Sequence, residues 1–418
     1  MGLTMREKQA VTRELAHEYK RATKKRKGEI LDSLVGLTEY HRAYAARVLR
    51  QQAHEVVLGT GRVGGVKVTV VADQRSPRKK KRRRPRVYGK EVLVALERVW
   101  VICDGICGKR LAPYLQEIVP KLEQLGELVL DDEVRSKLLR ISPATVDRLL
   151  APARKRFKLR ARAHTKPGTL LKHQIPIRTF CDWDEARPGF VEVDLVSHEG
   201  GDPRGEFGYT LDATDVCTGW TETVAVRNRA ELWVFAGLKE ALARFPFRIR
   251  GIDSDNGSEF INNHLVRYCG AHKITFTRSR PYRKNDNCFV EQKNSSVVRR
   301  TVGYARHDTP EELELLNELY SRLRLFTNYF QPVMKLQEKT RTGSRVTKKY
   351  DTAQTPFHRV LGSRRVVKPV KAALRRDYAK LNPVKLGREI DQLCDKLHAI
   401  AQRKAEAKRC STLEYIST

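Results

Sequence analysis

Apolar residues recur at helical spacing through the first fifty positions. Val11, Leu15 and Tyr19 share one face, and Ile30, Leu31, Leu34 and Val35 share a second, shorter one. After a turn at VGLT, Thr38 can cap a further helix, EYHRAYAARVLR, with Tyr44 and Val48 inward and Arg42, Arg47 and Arg50 outward. A second helical block starts at Tyr88, where EVLVALERVWVIC puts Val92, Leu96, Val99 and Cys103 on one stripe. It closes on LLRISPATVDRLL, with Ser142 as N-cap and Pro143 at the first helical position. Both blocks have the outline of a helix-turn-helix.

From Phe190 the period changes to that of strands. FVEVDLV, GEFGYTLDAT and GWTETVAV are three β-rich runs separated by Gly and Asp turns. The helix ELWVFAGLKEALARF, a fourth strand FRIRGIDS, a short helix through NNHLVRYCGA, a fifth strand KITFTR and a helix from about Asn287 come next. The order βββ-α-β-α-β-α predicts an α/β domain, a mixed five-stranded sheet with helices on its faces. Leu313, Leu316, Tyr320, Leu323 and Phe330 mark one more core helix. The last helix, from NPVKLGREI, repeats Leu386, Ile390, Leu393, Leu397 and Ile400; two heptads are too few for a coiled coil, so it is expected to pack on the protein's own surface.

Charge adds a partner to this outline. The 418 residues carry 82 Lys and Arg against 49 Asp and Glu, a net charge of +33. Such an excess favours a polyanion, since each neutralised phosphate releases counterions, and nucleic acid is the expected partner. RSPRKKKRRRPR (75–86) holds nine basic residues between prolines and reads as a linker or an arm along phosphates, with Lys79, Lys80, Lys81, Arg82, Arg83 and Arg84 at its centre. Eight scattered cysteines suit a reducing cytoplasm, Cys103 and Cys107 have no second pair at zinc spacing, and no apolar run is long enough to span a bilayer.

Three acids stand out against this basic background. Asp194 sits inside the apolar strand VEVDLV, Asp255 follows the strand FRIRGI in a turn with Asn256 and Gly257, and Glu291 lies on the helix CFVEQKNSSVVRR. A mid-strand acid is costly to bury without a partner. Acids on one strand, at the end of its neighbour and on a covering helix can converge, and three that close need a cation. Mg²⁺ or Mn²⁺, two ions, would suit oxygen ligands and in-line phosphoryl transfer. Asp212 and Asp215, in LDATDVCTGW, read as hairpin-turn acids, and Arg283 and Lys284 in RPYRKNDN as side chains that could grip a phosphate.

VEVDLV, DSDNGSEF and SRPYRKNDNCFVEQKN together resemble the three blocks of the DDE integrase core, a ribonuclease-H-like fold shared by retroviral integrases and bacterial insertion-sequence transposases. Thirty-five residues separate Asp255 from Glu291, which fits that core's spacing. The resemblance implies that Asp194, Asp255 and Glu291 are catalytic metal ligands, with Asp255 chosen over Asp253 because it directly precedes Asn-Gly. Many relatives carry a cation seven residues after the Glu. Val298 stands there in this chain, so Lys293, Arg299 or Arg300 is expected to contact DNA. The absence of an N-terminal His/Cys zinc spacing points to the transposase side.

The implied organisation is an N-terminal helix-turn-helix region (1–60), a basic linker (61–89), a second helical region (90–165), the catalytic core (185–335) and a basic C-terminal region (340–418). The implied function is transposition: binding of element ends, strand cleavage and transfer into target DNA, by a homo-oligomer assembled on DNA in the bacterial cytoplasm at the nucleoid. A metal-dependent nuclease of the same fold and a catalytically inactive DNA-binding regulator are the competing expectations.

Overall fold

The computed structural model describes residues 3–52, 55–63, 66–73, 87–156, 187–255, 257, 259–260, 262–279 and 287–416. The chain divides into two compact units, Met1–Pro85 and Arg86–Thr418.

In the first unit α1 (Met5–Arg21), α2 (Lys24–Thr38) and α3 (Arg42–Gln52) enclose Ala16, Ile30, Leu34, Ala45 and Leu49. Thr4 opens α1 with a capping box, its N–H donating to the Glu7 carboxylate at 2.6 Å. Thr38 does not cap α3 as expected. It ends α2, its hydroxyl donating to the Leu34 carbonyl, and α3 starts only at Arg42. Ala45 and Leu49, rather than Tyr44 and Val48, are the fully buried pair of α3, because the small Ala45 lets the helix close on α1 while Tyr44 stays 40% exposed. β1 (Glu55–Val63) and β2 (Val66–Asp73) then pair as an antiparallel hairpin across positions where the linker was expected to begin. In β2, Val66, Val68 and Val70 alternate with Lys67 and Thr69, a strand-forming pattern.

The second unit begins with α4 (Lys90–Ile102), α5 (Gly108–Gln124), α6 (Asp132–Leu139) and α7 (Pro143–Arg156). Val92, Leu96, Val99 and Cys103 are buried, and the Ser142 hydroxyl oxygen accepts from Thr145 N at 3.3 Å. No core boundary separates this helical block from the sheet, since the buried residues of both join in one cluster. Gln331 donates to the Cys103 carbonyl at 3.0 Å across the junction.

The sheet contains β3 (Phe190–Ser197), β4 (Tyr209–Asp215), β5 (Thr221–Val226), β6 (Gly251–Ser254) and β7 (Thr275–Arg278), with α8 (Glu231–Ala243) and α9 (Asn263–His272) in the connections. Its strand order is β5-β4-β3-β6-β7; β3, β4 and β5 pair antiparallel, and β3, β6 and β7 run parallel. This is the mixed five-stranded sheet that the sequence predicts. α10 (Cys288–Lys293) continues through a π-helical turn, Asn294–Arg299, into α11 (Arg300–Val302). α12 (Pro310–Phe330) seals the edge of β5, where Asn317 and Asn328 accept from Ala225 N and Thr221 N at 2.9 Å each.

β8 (Leu336–Thr342) and β9 (Arg345–Tyr350) form a second hairpin, followed by α13 (Pro356–Gly362), α14 (Lys368–Lys380) and α15 (Pro383–Ile416). α15 packs on α12 and buries Leu386, Ile390, Leu393, Leu397 and Ile400, so the heptad-like stripe is spent on the protein's own surface. Among the described residues no helix is long and apolar enough to cross a membrane.

Strand pleating gives the sheet two unlike faces. Val191, Val193, Leu211, Ala213, Val224 and Ile252 point one way. Glu192, Asp194, Thr210, Asp212, Thr214 and Asp253 point the other way, toward α10.

Candidate active site

The polar face gathers carboxylates because the strand register aligns them. Asp194 lies opposite Asp212 in the antiparallel β3–β4 pair, and Glu192 lies beside Asp253 in the parallel β3–β6 pair. Two residues beyond Asp253, at the exit of β6, stands Asp255.

Asp194 is half-buried; its Oδ1 accepts from Leu195 N at 2.8 Å and its Oδ2 from Asn294 Nδ2 at 2.6 Å. Burial first, and the Asp255 charge second, push its carboxyl well above the usual range, with both hydrogen bonds opposing the shift. Asp255 is half-buried too, with Oδ1 accepting from Gly257 N at 2.9 Å. Its sequence neighbour Asp253 is fully buried and already partnered. Thr277 donates to it, and the Asn287 amide, once turned so that its nitrogen faces Asp253, is placed to donate to Oδ2 at 3.1 Å and to accept from Asp255 N at 3.2 Å.

Glu291 is exposed on α10. Three residues later, at the start of the π-helical turn, Asn294 makes its contact with Asp194, so the helix bearing Glu291 is tied to the strand bearing Asp194. Among the described residues no three His, Cys, Asp or Glu side chains form a group that could hold a metal ion; Asp194 and Asp255 are close enough for their charges to interact, and Glu291 does not complete a set with them.

Three features of this face were not read from the sequence. Glu192 is fully buried and holds the first turn of α10, accepting from Val290 N at 2.8 Å; its alternation with Asp194 in VEVDLV was the available signal. Asn294 had no signal beyond its place three residues after Glu291. Asp212 is not a turn acid. It is fully buried mid-strand, its carboxyl pushed up to about 7 by burial against the opposing Lys293 charge and Thr214 bond. Asp215 does serve its hairpin, accepting from Gly189 N and Thr218 N at 2.7 Å each.

The expected DNA-contacting cations fare unevenly. Lys293 is buried, and burial first, then the Arg110 charge, brings its ammonium down to about 8 against the attraction of Asp212. This ammonium lies inside the protein, under the field of Asp212. Arg299 is likewise engaged, donating to the Ser197 carbonyl at 2.7 Å and lying 4.8 Å from the Tyr304 ring centre. Arg42, Arg47 and Arg50 are exposed on α3, although Arg42 pairs with Asp32 and Arg47 stacks on Tyr44. Lys79, Lys80, Lys81, Arg82, Arg83, Arg84, Arg283 and Lys284 lie outside the described residues.

Residues 184–284 match the family of the integrase core domain. With the mixed sheet, this gives the chain an integrase core domain, a kind of domain that serves polynucleotidyl transfer and DNA integration. It belongs to the same family as y4rM, an uncharacterized protein of Sinorhizobium fredii, to which it is 41% identical over 345 residues, 82% of this chain and 92% of that one. Among solved structures, the catalytic core domain of BIV integrase is 18% identical with a TM-score of 0.28, covering 40% of this chain and 91% of its own. The HTLV-2 integrase catalytic core domain is 11% identical with a TM-score of 0.27, covering 35% and 89%.

Proposed function

We propose that the chain is a DNA transposase that binds the ends of an insertion sequence and carries out divalent-metal-dependent strand cleavage and strand transfer. The observation that carries this reading is the approach of Asp194 and Asp255 on the polar face of an integrase-type sheet, within a chain of net charge +33. Asp194, Asp255 and Glu291 are the proposed catalytic acids and metal ligands.

The donor chemistry fits Mg²⁺ or Mn²⁺, because all three are hard carboxylate oxygens and the Asp194 carboxyl is raised first by burial and second by the Asp255 charge, a repulsion that a cation relieves. When bound, a pair of such ions supplies charge neutralisation and alignment for in-line phosphoryl transfer. The chain's own groups do the positioning. Leu195 N and Asn294 orient Asp194, Gly257 N orients Asp255, and Glu192 fixes the start of the helix carrying Glu291. The proposed partners are element ends, held by the α3 arginines, and target DNA, with 75–86 along phosphates and homo-oligomers assembling on DNA. The proposed location is the cytoplasm, at the nucleoid.

The test is cleavage of a labelled element end in Mg²⁺, beside a gel shift. Asp255→Asn keeps side-chain shape and removes a ligand charge, so cleavage should fall by orders of magnitude while DNA binding persists. Asp253→Asn should keep most activity, and the opposite pattern would overturn the assignment. Strand transfer from pre-cut ends separates a transposase from a nuclease of the same fold.

A further inference from the structure

The hairpin of β8 and β9 stands in solvent. Every side chain described between Gln337 and Tyr350 is exposed, Val346 and Tyr350 among them. A two-stranded ribbon is only marginally stable in water by itself, so this one is held by its base and not by packing along its length. At that base Lys335 N donates to Asp351 Oδ1 at 2.6 Å, and Asp351 N donates to the Lys335 carbonyl at 2.9 Å. Asp351 also pairs with Arg359 of α13 at 2.8 Å, and Lys335 Nζ donates at 2.6 Å to the carbonyl of Cys217, in the β4–β5 turn. The ribbon is thereby fastened to the sheet that carries the proposed catalytic acids.

Shape and charge select the partner. The tip is a two-residue loop, Gly343-Ser344, closed by the Thr342–Arg345 pair, with Gly343 at φ +61°. A Cβ on Gly343 would meet nothing within 4 Å, so the tip stands clear of the rest of the protein. Residues 336–350 contain Lys339, Arg341, Arg345, Lys348 and Lys349 against one acid, Glu338, which accepts from the Thr340 hydroxyl at 3.2 Å. The register places Arg341 and Lys348 on one face of the ribbon, and Lys349 with Thr340, Thr342 and Thr347 on the other. Seven residues at roughly 3.4 Å each make β8 about 24 Å long, and the DNA major groove, about 12 Å wide, admits a two-stranded ribbon. Cations on both faces of such a ribbon meet the phosphates that border the groove on either side.

We infer that the β8–β9 ribbon lies in the major groove of duplex DNA, with Arg341, Lys348 and Lys349 on the bordering phosphates. The inference rests on the reading of the chain as a DNA-acting protein, and adds a contact surface distinct from α3 and 75–86. It is tested on the full chain with the triple variant Arg341→Ala/Lys348→Ala/Lys349→Ala, whose three positions are exposed and lie outside the proposed catalytic machinery. Arg375→Ala/Arg376→Ala/Lys396→Ala, which removes three exposed cations from α14 and α15, is the equal-charge control.

Affinity for a duplex is measured against salt for all three proteins, with thermal unfolding to confirm folding. Each phosphate left without its cation removes roughly 0.9 from the slope of log K on log salt, so the ribbon variant should lose about 2 to 3 and the control much less. Equal slopes for ribbon variant and parent, or an equal reduction in the control, would overturn the inference. The groove is tested with a duplex of the same sequence carrying glucosylated 5-hydroxymethylcytosine, whose sugars fill the major groove. On that duplex the difference in slope between parent and ribbon variant should vanish, and a difference that persists in full would overturn the placement. A parent that binds duplex but neither cleaves nor joins it would count against the proposed function alone, because this comparison measures binding.

Discussion

Replacing Glu192 should show how firmly α10 must be held for catalysis. The residue is fully buried under α10, and its Oε2 accepts from Val290 N at 2.8 Å. Burial is the largest influence on its carboxyl and pushes it well above the usual range, with the Asp253 and Glu291 charges adding to the shift. Neutral Glu192→Gln retains an acceptor for the Val290 N–H, whereas Glu192→Val leaves that donor buried and unpaired, at a cost of about 1–3 kcal/mol. If this energy is what seats α10, the fraction of molecules with Glu291 in place falls roughly 5- to 150-fold. Single-turnover cleavage of a labelled end, with a gel shift and urea unfolding in parallel, reads all three consequences. Glu192→Gln should cleave close to the parent rate, Glu192→Val should lose cleavage by that factor, and both should bind DNA. The pH dependence has a defined sign. A carboxyl raised in the folded state contributes stability that is present below its unfolded value of 4.5 and lost as pH rises through the folded value, so the stability of Glu192→Gln relative to the parent should increase with pH. Parental cleavage by Glu192→Val, or equal losses in both variants, would refute the argument.

Other perturbations test the frame around the site. Arg324 holds the fully buried Glu222 with two donors, at 2.6 and 2.8 Å; Arg324→Leu strands that carboxylate and should cost about 3–5 kcal/mol in chemical unfolding near neutral pH, less as acid protonates it. Glu117, raised to about 7 by burial against the Tyr378 hydrogen bond, should make the parent lose stability relative to Glu117→Gln as pH climbs from 4.5 toward 7, by about 3 kcal/mol in total; parallel stability curves for the two proteins would exclude it. Deleting 75–86 should flatten the dependence of DNA affinity on salt by roughly 0.9 for each phosphate the arm neutralises, and an unchanged slope would remove that arm from the interface.

What was legible in the sequence depended on whether the signal was local. The change of period at Phe190 yields the strands in their order, because alternation within one strand reports burial of one face. The pattern around Asp255 is equally local, whereas the burial of Asp253 against Thr277 depends on the pairing of β6 with β7. Asp212 was misread because its closeness to a turn is visible along the chain, while its place opposite Asp194 exists only once β3 and β4 pair. The surroundings of Lys293 and Arg299 were out of reach for a related reason. Charge in a helix does not say which way the side chain faces, and the π-helical turn after Lys293 rotates later positions away from an α-helical count. Thr38 is a good cap by residue type, but an N-cap needs a chain break before it, and α2 runs through that position.

Five carboxylates on or at the edge of one sheet face would be expected to oppose folding, and the way each is answered separates frame from proposed chemistry. Glu192 is bonded by the first turn of α10, Asp253 by Thr277 and Asn287, and Asp212 by Thr214 under the field of Lys293. These three are fully buried, and their partners are neutral donors or an internal cation. Asp194 and Asp255 differ in being half-buried, with the charge of Asp255 adding to the burial that raises the Asp194 carboxyl. Under the proposed function this division has a physical use. A divalent ion is drawn to sites where negative charge is concentrated, and the half-buried acids at β3 and the exit of β6 are the pair whose charges are set against each other.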